Sequence, residues 1–346
     1  MPVTAARGTP NADGDLIASL RERIEAVWRP LVARSSRVAL LDFPDHANVG
    51  DSAIWLGELA CLRSLGVGPP VFTCDRRTYS RRLLAAHIGD GTILLHGGGN
   101  FGDLYAYYQL FRERVITDFP NNPIVILAQT IHFGDGRALA RARAVVNGHG
   151  GVTVLARDRR SLECVSQEFK AATALCPDGA FCLDHLSRSG PPVESCLMLA
   201  RTDKEATLPR TLAQELHMTR VDWLEDDRSI LLRACRALTS ACVRYPNRLA
   251  GLRGLLSSAR QGLARERVAR GCRLLSRGET VITDRLHGHI LCLVLGIPHY
   301  VVDNSYGKVG AFYRTWTASS KLARWCSSWS EAVALARAGT GGAWSR

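Results

Sequence analysis

The stretch Glu279-Thr-Val-Ile-Thr-Asp-Arg-Leu-His-Gly-His-Ile-Leu-Cys-Leu-Val-Leu-Gly-Ile-Pro298 decides the reading of this chain. Thr280 to Thr283 is a short apolar run ahead of a turn, the pattern of a buried strand. The chain then turns through Asp284-Arg285-Leu286-His287-Gly288 and continues as an apolar helix that stops at Gly296 and Pro298. A guanidinium and an imidazole therefore fall together where a strand ends and a helix begins. In open α/β sheets ligands bind at that edge, and helix N-termini favour anions. Arg285 offers a planar, permanently charged fork for carboxylate or phosphate. His287 offers a group that exchanges protons near neutral pH.

The pattern repeats outward from this point. Strand-like runs are expected at Val38 to Phe43, Val71 to Cys74, Thr92 to His96, Ile124 to Ala128, Val152 to Ala156 and near Ala174. Helical stretches lie between them, after an N-terminal helix over Leu16 to Val32. This alternation predicts a parallel sheet with helices on both faces. Ser187-Arg-Ser-Gly-Pro-Pro192 is turn-rich and reads as a linker. Beyond it, strands at Ser195 to Ala200, Thr219 to Trp223 and His299 to Val302 flank helices over Ser229 to Tyr245, Gln261 to Ser276 and Ser330 to Ala338, and Thr340 to Arg346 reads as a frayed tail. The expected division is residues 1–186, a linker at 187–192, and 193–346, two α/β units with a cleft between them.

Composition limits the function classes. The net charge of +12 over 346 residues is almost wholly arginine, with lysine only at positions 170, 204, 308 and 321. These arginines are spread at solvent-like helical spacing without interleaved aromatics, which argues against nucleic acid. Arg228 to Arg277 is markedly basic and fits contact with an anionic membrane surface, though a solvated arginine-rich surface is the plainer reading. Met1 to Asp15 has no charged segment followed by an apolar core, so no signal peptide is expected. Eleven cysteines occur without a Cys-x-x-Cys pair, the usage of a reducing cytoplasm. No His, Cys or carboxylate cluster calls for a metal.

Four loops after expected strands carry the polar chemistry. Asn48-Val-Gly-Asp51 opens a helix: Gly50 lets backbone amides approach a ligand, Ser52 is a candidate cap, and Asp51 orients a sugar hydroxyl, accepts its proton or simply belongs to the cap. His96-Gly-Gly-Gly-Asn100 places Gly98, Gly99 and Asn100 after a strand, as an anion or sugar cradle or as tight packing. It lacks the ending of a Walker loop. Arg157 falls at the end of the next strand, and the Arg-Leu-His-Gly turn is the fourth loop. His132 either lines the cleft or packs. Lys308, the lone lysine of Asp303-Asn-Ser-Tyr-Gly-Lys308, is a candidate ammonium contact or a surface residue at a helix start.

In this order, Asn48-Val-Gly-Asp51, His96-Gly-Gly-Gly-Asn100, Arg157-Asp-Arg-Arg-Ser161, Cys176-Pro-Asp178, Arg285-Leu-His-Gly288 and Asn304-Ser-Tyr-Gly-Lys308 resemble the polysaccharide pyruvyl transferases, from about Val38 to Trp316. The resemblance implies two Rossmann-like domains facing across a cleft in a GT-B-like arrangement. It implies transfer of the pyruvyl group of phosphoenolpyruvate to a sugar of a polysaccharide or lipid-linked oligosaccharide, usually as a cyclic ketal, with no cofactor and no metal. Arg285 and Arg157 are then the cations for the donor's carboxylate and phosphate, assisted by the glycine-loop amides or Lys308. His287 is the proton carrier and Asp51 a base or sugar ligand. Asn48, Gly50, Gly98, Gly99, Asn100 and Asp178 complete the expected binding set. The cysteine usage places the enzyme in the cytoplasm, and the basic Arg228 to Arg277 region makes the inner face of the membrane an open alternative. One departure is His132-Phe133, where many relatives have Gly-Pro after the Gln-Thr-Ile run. A GT-B nucleotide-sugar glycosyltransferase and a non-catalytic glycan-binding protein are the competing readings.

Overall fold

A computed structural model of the chain describes residues 13–33, 37–209, 219–226, 229–246 and 250–338. The readings made for the segments at 1–12 and 339–346 lie outside the described residues.

The apolar runs at Val38–Leu41, Thr92–Leu95 and Ile124–Ala128 become strands buried at every position, which is why they read as continuous rather than alternating. In the first sheet the strands are β1 (Val38–Leu41), β2 (Phe72–Cys74), β3 (Thr92–Leu95), β4 (Gly98–Gly102), β5 (Ile124–His132), β6 (Val152–Ala156) and β7 (Ala172–Leu175). Their order is β2-β1-β3-β5-β6-β7, with β4 paired to β5, and every pairing is parallel. The helices between them are α2 (Val49–Ser64), α3 (Arg81–Ile88), α4 (Ala106–Asp118), α5 (Gly136–Asn147) and α6 (Arg159–Glu168), after α1 (Gly14–Val32).

The second sheet contains β8 (Glu194–Leu199), β9 (Thr219–Val221), β10 (Gly278–Thr283), β11 (His299–Val301) and β12 (Ala323–Trp325). Its order is β12-β11-β10-β8-β9, again parallel throughout. With it come α7 (Ile230–Arg244), α8 (Arg253–Ser276), α9 (Leu286–Leu295), α10 (Lys308–Phe312) and α11 (Trp329–Ala338).

One apolar cluster joins both sheets. It runs from Leu40, Leu94 and Val125 through Ile54 and Trp55 of α2 to Leu197, Val281 and Leu291. Helix α2 lies inside this cluster and is apolar around most of its circumference. Gly57 is needed there, because a Cβ would stand 2.0 Å from the carbonyl oxygen of Gly179. Among the described residues no helix is long and apolar enough to cross a membrane.

Three local expectations change. Helix α2 begins at Val49, with the Asn48 side chain accepting from the Gly50 amide, so Asn48 and not Ser52 is the cap. Ser52 is buried in the first turn. The triple-glycine loop is in part a strand, since β4 pairs in parallel with β5 across a register shift. Helix α8 starts eight residues before the Gln261 expected from the apolar pattern. Its early turns carry arginines that bond to polar groups of the first half, a partnership invisible to hydrophobic periodicity.

Candidate active site

Each sheet has one place where the strand order reverses, and ligands of open α/β sheets bind there. In the first sheet it lies between β1 and β3, which lead into Asp42 and His96. In the second it lies between β8 and β10, which lead into Arg201 and Asp284-Arg285. A cavity of about 350 Å³ is lined from both sides, by Asp42 and Asp51 from one and Arg201, Arg285 and His287 from the other.

The Arg-Leu-His-Gly turn is held by its own backbone and by its partners. The Arg285 amide donates to Thr283 Oγ1 at 3.0 Å. Its guanidinium is buried and faces Asp222, with Nε 2.6 Å from Oδ1 and Nη2 donating to Oδ2 at 2.7 Å. The Asp222 carboxyl, which burial alone would raise, is thereby held below its usual value. His287 Nε2 reaches across to within 3.4 Å of Asp178 Oδ2. Asp178 also accepts from Arg157 Nη1 at 2.8 Å and from the Ala180 amide. Burial would raise the Asp178 carboxyl, but His287 and Arg157 hold it well below the carboxylate range.

Gly50 marks the closest approach of α2 to this turn. A Cβ there would stand 2.2 Å from His287 Nδ1. Asp51, one residue on, accepts from Asn48 Nδ2 at 2.7 Å and lies 3.6 Å from His46 Nε2. Against the effect of burial, His46 and His287 keep its carboxyl below the ordinary value. Gly98 has φ 128°, and a Cβ there would contact Asp51 at 3.4 Å. At Gly99 a Cβ would stand 3.2 Å from Arg157 Nη2 and 3.6 Å from Lys308 Nζ. Asn100 lines the cavity and accepts from Arg112 Nη2 at 2.7 Å.

All eleven residues singled out in the sequence thus gather around one cavity, on or directly behind its wall. Their cations are not free, however. Arg157 is held by Asp178 and Thr130, Arg285 by Asp222, and Lys308 by Glu205 at 2.6 Å. Glu205 in turn is lowered to about 2, because Lys308 and Arg201 outweigh its burial. His132 packs face to face on Tyr306, 5.0 Å between ring centroids.

Several site residues went unread in the sequence. Arg201 follows β8 as Arg285 follows β10, and its amide donates to Asp284 Oδ1 at 2.9 Å. That strand-end position was a usable signal. Glu58 and His96 form a buried pair at 2.7 Å; burial would lower the imidazole, but Glu58 raises it above its usual value. Glu205 and Asp222 were not read because the partners that tie them to Lys308 and Arg285 lie 103 and 63 residues away, although Arg201, four residues before Glu205, also pairs with it at 2.9 Å. Among the described residues no group of three or more His, Cys, Asp or Glu is placed to hold a metal ion.

Residues 48–306 match the family model for polysaccharide pyruvyl transferase, and the match takes in every residue of the expected site except Lys308. The chain belongs to the polysaccharide pyruvyl transferase family. It is 32% identical over 309 residues to Pyruvyl transferase 1 of Schizosaccharomyces pombe, covering 84% of this chain and 72% of that protein. It is 30% identical over 307 residues to the provisionally named pyruvyl transferase EpsO of Bacillus subtilis, covering 86% and 90%. An uncharacterised protein from Klebsiella pneumoniae has a similar fold, with TM-score 0.59 at 19% identity, covering 89% of this chain and 99% of that one. Membership of this family makes the cavity a candidate transferase site, with a glycan acceptor and a pyruvyl donor.

Proposed function

We propose that this protein transfers the pyruvyl group of phosphoenolpyruvate to a sugar of a polysaccharide or lipid-linked oligosaccharide, closing a cyclic ketal and releasing phosphate. The observation that carries this reading is the convergence of Arg157, Arg285, Lys308 and His287 on one cavity. Phosphoenolpyruvate has two anionic groups on three carbons and needs at least two cationic partners held close together.

In this mechanism His287, oriented by Asp178, gives a proton to the donor's methylene carbon, and C2 becomes electrophilic. A sugar hydroxyl attacks C2, the bond to phosphate breaks with its electron pair, and a second hydroxyl closes the ring. Two hydroxyl protons are released: one restores His287 and the other leaves with phosphate. The cationic wall stabilises the donor's charge throughout. No cofactor is required. The arrangement assigned is GT-B-like, with Rossmann-like units at 1–186 and 193–346 joined at 187–192. The second switch point holds the donor, and the first faces the acceptor.

The test is incubation with phosphoenolpyruvate and candidate glycans. Phosphate release matched by a gain of pyruvate mass on the glycan is expected. Stabilisation by nucleotide sugars together with indifference to phosphoenolpyruvate would replace this reading with glycosyl transfer.

A further inference from the structure

Asp42 stands at the end of β1, and among the described residues it alone, glycine apart, has a positive φ, 72°. A non-glycine residue in this region costs on the order of 1 kcal/mol or more and persists only where its surroundings enforce it. Here they do. The residues on either side are pinned: His96 N donates to Leu41 O at 3.1 Å, and Phe43 N donates to Cys74 O at 2.9 Å. The kink between these two bonds ends the strand and sets Asp42 in the cavity wall.

Its carboxylate is also unlike the others there. Asp45 pairs with Arg77, Asp51 with Asn48, Asp75 with Arg260, Asp203 with Arg201 and Glu205 with Lys308. Asp42 is 3% exposed, and its Oδ1 has no hydrogen-bond partner. A buried carboxylate without a donor on one oxygen is costly to keep, and this one stands in the wall of the cavity.

We propose that Asp42 receives the attacking hydroxyl of the acceptor sugar and takes its proton, an assignment that rests on the pyruvyl-transfer reading. The hydroxyl oxygen uses its electron pair to form the bond to C2. Its proton passes to the Asp42 carboxylate, while His287 supplies the proton that C3 gains. Asp42 later releases its proton to the departing phosphate. Asp51, already bonded to Asn48 and facing two histidines, then orients the sugar rather than acting as base.

The surroundings tune Asp42 for this task. Arg112 and Tyr108 face it from α4, His96 from the end of β3, and Cys74, Asp75 and Arg76 from β2 and the loop after it. Burial outweighs the nearby Arg112 and His96, and the carboxyl is raised to about 6. Such a group is ionised near neutral pH yet basic enough to take a proton.

The experiment uses the full chain, phosphoenolpyruvate and, as acceptor probes, methyl glucoside, methyl galactoside and the glycan that gains pyruvate mass. Asp42→Asn keeps the left-handed tolerance and the acceptor oxygen but cannot take a proton. The expected result is a loss of at least about 100-fold in kcat/KM for the acceptor. KM for phosphoenolpyruvate should stay within about twofold, and the thermal shift it produces should be retained. Wild-type kcat/KM for the acceptor should fall below about pH 6, and the variant's profile should lack that limb. Should Asp42→Asn fail to fold, the wild-type profile decides alone: a flat acceptor profile through pH 5 to 7 overturns the assignment. Full acceptor turnover by Asp42→Asn overturns it too, and leaves pyruvyl transfer standing. If wild-type protein binds the probes but never releases phosphate, pyruvyl transfer itself fails and Asp42 loses its role as base.

Discussion

His287 Nε2 lies 3.4 Å from Asp178 Oδ2, joining the turn after β10 of the second sheet to the loop after β7 of the first. The two side chains are buried or nearly so, and Arg157 closes the group from the other side at 2.8 Å. The buried Asp178–Arg157 pair at the junction of the two sheets lies against the imidazole, whose Nε2 has no hydrogen-bond partner of its own.

Removing either member should therefore have different effects. His287→Gln should lower kcat by about 10²- to 10⁴-fold, the range for a lost general acid or base, with a small change in the urea midpoint. Asp178→Asn should also cost about 3–5 kcal/mol of stability, because Arg157 is left buried without its counter-charge. The pH dependence follows from the sign of the shift. Asp178 is held below its ordinary 3.8, so its contribution is fully present above 3.8 and is lost as pH falls through the lower folded value. Urea unfolding of wild type should weaken steeply as pH falls below 3.8, and the variant should show a flatter curve. Equal curves would remove the pair from the stability argument.

Gly50→Ala puts a methyl group where His287 Nδ1 now stands, 2.2 Å from the new Cβ. The ring has to shift from its place beside Asp178. Activity should drop by about 100-fold, the scale expected when a reacting group is misplaced by about an ångström. Phosphoenolpyruvate turnover and thermal melting measured side by side check this; unchanged kcat would show that the imidazole position is not critical.

Asp42→Asn should be more stable than wild type at alkaline pH. The folded-state carboxyl is raised from 3.8 to about 6, so above 6 the fold carries a buried charge that the unfolded chain carries in water. That difference amounts to roughly 3 kcal/mol. It shrinks as pH falls through 6 and disappears below 3.8, where both states are protonated. Melting temperatures at pH 8 and at pH 4 measure the sign directly. A carboxylate kept at a cost to the fold fits a functional residue.

The end of the α7–α8 hairpin exposes Val243, Tyr245, Leu252 and Leu255 beside the exposed Arg244. Helix α8 also carries Arg253 and Arg260, which reach Thr78 close to the cavity residues Asp75, Arg76 and Arg77. Apolar side chains next to arginine suit an anionic lipid surface. On this basis the protein should co-sediment with vesicles containing phosphatidylglycerol, less so in high salt, and Leu255→Ser together with Arg244→Ser should weaken the binding. Binding that ignores both salt and substitution would remove this surface from consideration.

Much of this protein was legible in its sequence, for identifiable reasons. Parallel strands buried on both faces leave unbroken apolar runs, and strand-end loops must carry polar or glycine residues. The element order, the Arg-Leu-His-Gly turn and the set from Asn48 to Lys308 were therefore readable locally. What tertiary structure alone decided were the partners of those residues. Arg285 is held by Asp222, Lys308 by Glu205 and His287 by Asp178, each from a different loop. Nor does any local pattern reveal that Asp42 is forced left-handed by bonds from two neighbouring strands. Charge pairing and backbone strain depend on distances between elements far apart in the chain, and those distances exist only once both sheets have packed around α2.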